Sequence, residues 1–302
     1  MTINQIFREG HQGLARVACL LGGAVWGLYW IPLRTLDSAG ISGAWASALF
    51  NLIALVFIAP LILSRLRPWL AGGLQIQLTG ATLGLTLLVY STAFLYTDVV
   101  HAILLYYLTP IWGALFGRLW LKEKITPDQL VGIGFGIVGM MVILHIDEGF
   151  PWPRNIGDWM ALSAGILWAL GATMTRRFPE QHTLDIVSTW FLWCTIFAII
   201  AGLLFQGPQS VPDLATTIPV VYWVVPIVVL IVIPTFIAIT WGLPQLNPGT
   251  SGLLFMTEIS VVTVSAAILT DEHIGVREIL GVVLISLAGL AEVLLPRLRR
   301  VS

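Results

Sequence analysis

What most constrains this chain is a succession of apolar runs, each about twenty residues long, that fills it almost from end to end. Crossing a bilayer's hydrocarbon core takes about 20 residues of helix, and inside that core only helices and closed barrels satisfy their own backbone. Ten such runs are legible. The first five are Leu14–Leu33, Ile41–Leu63, Leu74–Tyr96, Val99–Trp120 and Pro127–His145. The second five are Ile156–Thr175, Leu184–Phe205, Ile218–Trp241, Thr250–Leu269 and Val276–Pro296. Their connections are short, and the longest, Gln206–Thr217, cannot hold a folded domain. Only 10% of the residues are charged and 57% are hydrophobic, with a mean hydropathy of +0.90. A water-facing surface needs roughly a quarter charged residues. The chain is therefore predicted to be an all-α integral membrane protein of ten transmembrane helices, with the lipid bilayer as its main partner.

Composition also excludes several function classes. The net charge of −1 gives no field for nucleic acid. No glycine-rich loop with a following Lys is present to cradle phosphate. Cys19 and Cys194 both sit inside apolar runs, without disulfide or metal-ligand spacing, so neither a metal nor a cofactor is expected. The polar start Met1–Gln12 precedes a run too long for a signal segment, which predicts an uncleaved first helix.

Charge placement orients the ten helices. With both termini in the cytoplasm, twelve of the fifteen Lys and Arg residues fall on the cytoplasmic side and only Arg34, Arg154 and Arg277 on the other. Such a bias in short loops is what the positive-inside rule requires.

The chain also repeats itself. Leu104, Leu105, Glu123, Ile125 and Gly132 match Leu253, Leu254, Glu272, Ile274 and Gly281 at a constant offset of 149. Trp26 and Arg34 match Trp168 and Arg176 at an offset of 142. This divides the chain into residues 1–148 and 149–302, with five helices each. Five is odd, so the halves face opposite ways. The expected architecture is two inverted five-helix repeats around a central cavity, with solute held midway between them.

The residues that carry a family likeness are Tyr106-Tyr107-Leu108-Thr109-Pro110, Leu121-Lys122-Glu123-Lys124-Ile125 and the glycine-rich helix led by Gly132. They recur as Met256-Thr257-Glu258, Asp271-Glu272-His273-Ile274 and Gly281. In these features, over essentially its whole length, the chain resembles the drug/metabolite transporter superfamily, in its ten-helix branch with two EamA-type repeats. The segment Tyr107–Pro110 resembles the bacterial aromatic amino-acid exporters of the YddG type. The resemblance implies a secondary transporter, not an enzyme, exporting amino acids and related small metabolites across a bacterial inner membrane. Relatives often follow the helix-nine glutamate with proline, whereas Glu258 here precedes Ile259.

Glu258 is the one acidic residue well inside a predicted span, where a charge costs several kcal/mol. It is a candidate for a proton site or for contact with a substrate's ammonium group, with His101 as a second proton candidate. Asp98 reads as a solvated boundary residue, Glu292 as a boundary residue within reach of Arg297, and Glu123 and Glu272 as structural groups able to cap the helix that follows each or to meet a neighbouring backbone. The candidate cavity lining is Trp26, Trp30, Tyr90, Ser91, Tyr106, Tyr107 and Trp168, with Glu258. Trp26 and Trp30, four apart, are predicted to share one helix face. Aromatic faces with a few hydroxyls suit a neutral, small amphipathic solute. Trp152, Trp159 and Trp223 fit an interfacial belt, and Trp190 and Trp193 fit either role. Asn51 is expected to hydrogen-bond across helices.

Pro32, Pro110 and Pro234 are candidate hinges, because a proline frees a backbone carbonyl and lets a helix bend. The pairs Gly23/Gly27, Gly113/Gly117 and Gly132/Gly136 predict close helix approach. Helices five and ten, nearly free of mid-span polar residues, are expected at the periphery. These residues fit a facilitator or a proton-coupled carrier, and an exporter of hydrophobic cations that uses Glu258 as counter-charge is the rival substrate class. No cluster of His, Asp or Lys at one interface supports a membrane enzyme.

Overall fold

The computed structural model describes residues 11–41, 43–93, 96–97, 99–143, 152–269 and 275–298. These residues form helices joined by turns and short loops. The first group is α1 (Gln12–Trp26), α2 (Trp30–Ser38), α3 (Ala44–Ser64), α4 (Leu66–Ala71), α5 (Gly73–Ala93), α6 (Val99–Tyr106), α7 (Thr109–Leu119) and α8 (Pro127–Ile143). The second is α9 (Ile156–Arg177), α10 (Thr183–Ala201), α11 (Leu214–Ile227), α12 (Ile233–Gly242), α13 (Pro248–Phe255), α14 (Thr257–Leu269) and α15 (Val276–Leu298). Two π-helical segments, Gly202–Gln206 and Val228–Val232, extend α10 and join α11 to α12.

Six stretches are long and apolar enough to cross a membrane: Gln12–Ser38, Ala44–Ser64, Gly73–Ala93, Thr183–Gln206, Leu214–Gln245 and Pro248–Leu269. The other helices are shorter, interrupted or charged at their ends. Large apolar side chains stand exposed around the outside, among them Phe57, Leu74, Phe135, Leu204, Leu230, Ile268 and Val283. A water-soluble protein does not expose apolar surface on this scale, so these faces meet lipid.

Packing places α13 and α14 centrally. α13 packs on α7 and α1, and α14 on α1 and α15. α10 lies between α3 and α5, and α9 packs on α5, α6 and α7. α8 and α15 pack chiefly on each other. The three glycine pairs explain the close approach, because each faces the Pro248–Leu269 stretch. A Cβ on Gly27 would meet the Glu258 carbonyl oxygen at 2.7 Å, and one on Gly113 the Pro248 carbonyl oxygen at 2.5 Å. Gly132 and Gly136 face Leu253 and Met256. Three neighbours thus present backbone, not side chain, to the same stretch.

Three sequence expectations are corrected. Trp26 and Trp30 do not share a helix face, because the chain turns at Gly27–Tyr29 between α1 and α2. The Trp30 indole N–H instead donates to Ser265 Oγ at 3.0 Å. Asn51 makes no cross-helix bond among the described residues; it donates to the Ser47 carbonyl one turn back, at 2.7 Å. Glu123 does not cap α8, since the hydroxyl of Thr126 accepts the Gln129 N–H there. Cys19 and Cys194 are free and buried, as small core residues.

Candidate functional site

Three interruptions of helical chain meet at one point. The first is the turn at Gly27–Tyr29, the second Tyr107–Leu108 between α6 and α7, and the third Met256 between α13 and α14. The second has a local cause: Pro110 has no N–H to give the Tyr106 carbonyl, which accepts instead from the Thr109 hydroxyl at 2.5 Å. Gly27 abuts Glu258 in the first turn of α14. The Tyr107 hydroxyl donates to Glu258 Oε2, joining the second interruption to the third.

Around this junction stands a tyrosine cluster. The Tyr90 and Tyr106 rings lie 4.1 Å apart by centroid, and Tyr106 meets Tyr107 edge-on at 5.0 Å. All three are buried. Tyr107 is the one hydrogen-bond partner of Glu258 among the described residues, and no described basic group faces the carboxylate. A carboxyl group held by a single hydroxyl, away from any cation, can accept or release a proton, or receive a cationic group, without first breaking an ion pair.

Beside the tyrosines lies an aromatic cluster. Trp168 packs on Phe255 (5.0 Å) and Trp190 (5.7 Å). Trp190 packs on Phe236 (4.4 Å) and faces Trp26 at 6.4 Å. Trp26 and Phe236 then form two walls of a narrow cleft whose free volume is ≈ 20 Å³, room for about one water as it stands. Tyr29, Phe50, Asn51, Leu87 and Thr235 complete most of the lining. Four of the nine lining residues are aromatic and none carries a charge. Leu87 is one turn from Tyr90 on α5, so the cleft and the tyrosine cluster adjoin.

Of the sequence-predicted lining, Trp26 is a cleft wall, Trp168 stands behind it, and Tyr90, Tyr106, Tyr107 and Glu258 form the adjoining cluster. Ser91 points elsewhere: its hydroxyl donates to the Leu88 carbonyl, and it lines a separate recess with Gly43, Thr92 and Gln206. Trp30 is turned toward α14. Asp98 and Glu272, and the side chains of His101 and Glu292, lie outside the described residues. Pro234 opens α12 directly after the π-helical turn, where the Ile233 N–H reaches back to Val228. Pro32 lies in the first turn of α2, and Pro110 in that of α7. Sequence reasoning missed Tyr29, Phe50, Phe236 and Phe255. The Trp26–Tyr29 spacing and the Pro234–Phe236 proximity were the only signals present.

At the end of the molecule where α7 and α9 finish and α13 starts, a polar network bridges the chain. Arg176 Nε donates to Glu123 Oε1 at 2.5 Å, and Arg176 Nη1 to the Pro244 carbonyl at 2.7 Å. Asn247 donates to Glu123 Oε2 at 2.6 Å and accepts from Gln129 Nε2 at 2.7 Å. Nearby, Arg65 forms a two-pronged pair with Asp185, both contacts 3.1 Å, which raises the guanidinium pKa further. His182 caps α10 through Nδ1, and its pKa is lowered by burial and then by Arg65.

Apolar spans packed through glycine, with a charge-poor aromatic centre where helices break, define a multi-pass membrane protein of the transporter class. The chain belongs to the EamA-like transporter family, which it matches over residues 14–145 and again over 155–293. It is 25% identical over 262 residues to the uncharacterised transporter YyaM of Bacillus subtilis, covering 84% of each chain. It is also 25% identical to a riboflavin transporter of Rhizobium johnstonii, over 62% of this chain and 60% of that one. An uncharacterised transporter of Pseudomonas aeruginosa is 24% identical over 265 residues. A solved structure, titled only as the crystal structure of a protein, superposes with a TM-score of 0.75 at 19% identity, covering 97% of this chain and all of that one, and so shares the fold.

Proposed function

We propose that this protein is a secondary transporter that exports neutral small solutes, aromatic amino acids first among them, by alternating access across a bacterial inner membrane. In this reading ten helices form two inverted five-helix halves, residues 1–148 and 149–302, with both termini in the cytoplasm. The observation that carries it is the uncharged aromatic cleft beside Tyr90, Tyr106, Tyr107 and Glu258, where three broken helices meet. Such broken helices near the middle of the bundle are where transporters bind solute and bend. The repeat reading gains support from the breaks themselves. The break at Tyr107–Leu108 and the break at Met256 begin 149 residues apart, the offset at which the two halves match in sequence.

Solute enters the cleft against Trp26, Phe50 and Phe236, and its polar end meets the tyrosine hydroxyls and Glu258. Pro32, Pro110 and Pro234 adjoin the interruptions about which the halves rock. The riboflavin transporter among the relatives adds flat heteroaromatic solutes to the candidates.

A second reading, proton-coupled export of hydrophobic cations, is favoured by the burial of Glu258 with no described counter-charge. One experiment separates the two. Purified protein in liposomes is given labelled Phe, Trp, Met, Thr, riboflavin, a charged amino acid and a lipophilic cation, with and without a pH gradient. Uptake of neutral aromatic solutes without a gradient is expected. Uptake of the cation alone, abolished by Glu258→Gln, would replace the first reading by the second.

A further inference from the structure

Trp190 presents a buried donor that no described residue accepts. Its side chain is fully buried, and among the described residues its indole N–H has no acceptor. A buried donor left unpaired costs its whole desolvation energy, and phenylalanine at the same place would keep the ring without that cost. Trp112 also has a buried indole nitrogen without an acceptor among the described residues, whereas the part-buried indoles find partners: Trp30 with Ser265, Trp69 with Ser188, Trp45 with Ser210 and Trp193 with Gln77. Trp190 stands apart from these by position as well, because two of its ring neighbours, Trp26 and Phe236, are walls of the cleft.

We infer that Trp190 is a specificity-determining residue of the cleft. Its indole N–H donates to an oxygen acceptor, a carboxylate or ring carbonyl, of a flat aromatic solute. This rests on the transport reading and deepens it by naming the substrate's two required features. The first is a planar apolar ring, which stacks among Trp26, Phe50 and Phe236. The second is an acceptor, reached when the Phe236 ring swings aside. Phe236 is placed for that movement. It lies two residues beyond Pro234, and the π-helical turn Val228–Val232 before it lacks the regular i→i−4 bonding of an α-helix. Cations and purely apolar solutes offer the N–H nothing, and so leave its desolvation uncompensated.

The test compares wild type, Trp190→Phe and Trp190→His in detergent and in liposomes. The probes are L-tryptophan against tryptamine, which lacks the carboxylate, and riboflavin. In the empty protein Trp190→Phe is expected to melt at the wild-type temperature or above it. It should bind L-tryptophan or riboflavin about 10-fold more weakly or worse, the size of one buried hydrogen bond. Tryptamine should bind both forms alike, and Trp190→His, which keeps a ring N–H, should recover part of the loss. Unchanged affinity in Trp190→Phe, or a clear fall in its melting temperature, would overturn the inference, as would wild type binding none of the probes. Flux in wild type with unchanged affinity in Trp190→Phe would leave the transport reading standing alone. Binding that follows the N–H without any flux would overturn transport and keep Trp190.

Discussion

Two glycine-to-alanine changes should shift stability in opposite directions. Gly113 lies in α7 and Gly134 in α8, both inside helices. Alanine gains about 0.5–1 kcal/mol over glycine in either helix, from backbone entropy alone. At Gly134 a Cβ would meet nothing within 4 Å, so that gain is realised. At Gly113 the Cβ would sit 2.5 Å from the Pro248 carbonyl oxygen, 2.6 Å from its carbon and 2.8 Å from the Gly249 nitrogen. All three are backbone atoms, so no rotamer change can relieve the clash and α7 must back away from α13. Overpacking of this kind costs about 1–3 kcal/mol. The helix term is common to both variants, so the difference between them is the packing cost itself. At about 2–4 °C per kcal/mol for a chain of this order, the two melting temperatures should separate by roughly 2–12 °C, with Gly113→Ala the lower. Cys19 and Cys194 are free and buried, so a thiol-reactive dye that fluoresces on unfolding reports the transition directly. If Gly113→Ala melts at or above Gly134→Ala, the glycine-mediated approach to α13 is wrong.

Three further outcomes are expected. Tyr107→Phe removes the single described donor to Glu258 and should destabilise by about 1–3 kcal/mol. A double-mutant cycle with Glu258→Gln should show coupling, and strict additivity of the two melting shifts would refute the contact. Glu123→Ala strands Arg176 and Asn247 at a site only a quarter exposed, and should cost about 1–3 kcal/mol, between surface and buried pairs. The exchange Glu123→Arg with Arg176→Glu should recover part of that loss, and no recovery would mean the pairing contributes nothing specific. His182 has its pKa lowered in the folded protein, so folding disfavours its protonation. Its contribution is present above the unfolded value near 6.5 and is lost as pH falls through the lowered folded value. Protonation also removes the Nδ1 acceptor that caps α10. Melting temperature should therefore drop more between pH 7 and 5 in wild type than in His182→Asn, whose cap does not titrate; equal drops would exclude this role.

The membrane character of the chain was written in the sequence, because run length and scarcity of charge answer directly to bilayer thickness and desolvation. Glu258 stood out for the same reason, as a carboxylate where carboxylates are expensive. The glycine pairs signalled close packing, since only a missing Cβ lets two backbones approach to 3 Å. Which neighbour each pair receives was not legible. Lipid and bundle interior are both apolar, so the spacing of Gly113 and Gly117 announced a close neighbour without saying that it is Pro248.

Periodicity also assumes an unbroken helix. The turn at Gly27–Tyr29 rotates Trp30 away from Trp26 and toward Ser265, which no spacing rule announced. Contacts between distant segments belonged wholly to the tertiary structure. Phe236 and Trp190 are ordinary apolar letters in their own helices and become an aromatic cluster only when α10 and α12 meet α1. The Glu123–Arg176 pair likewise exists because the loop after α7 and the last turn of α9, far apart in the chain, end at the same face of the bundle. The sequence by itself determined the solvent this protein lives in and the cost of its few polar groups. Only the tertiary structure decided which of those groups meet, because their partners lie from about fifty to over two hundred residues away and no local pattern encodes such distances.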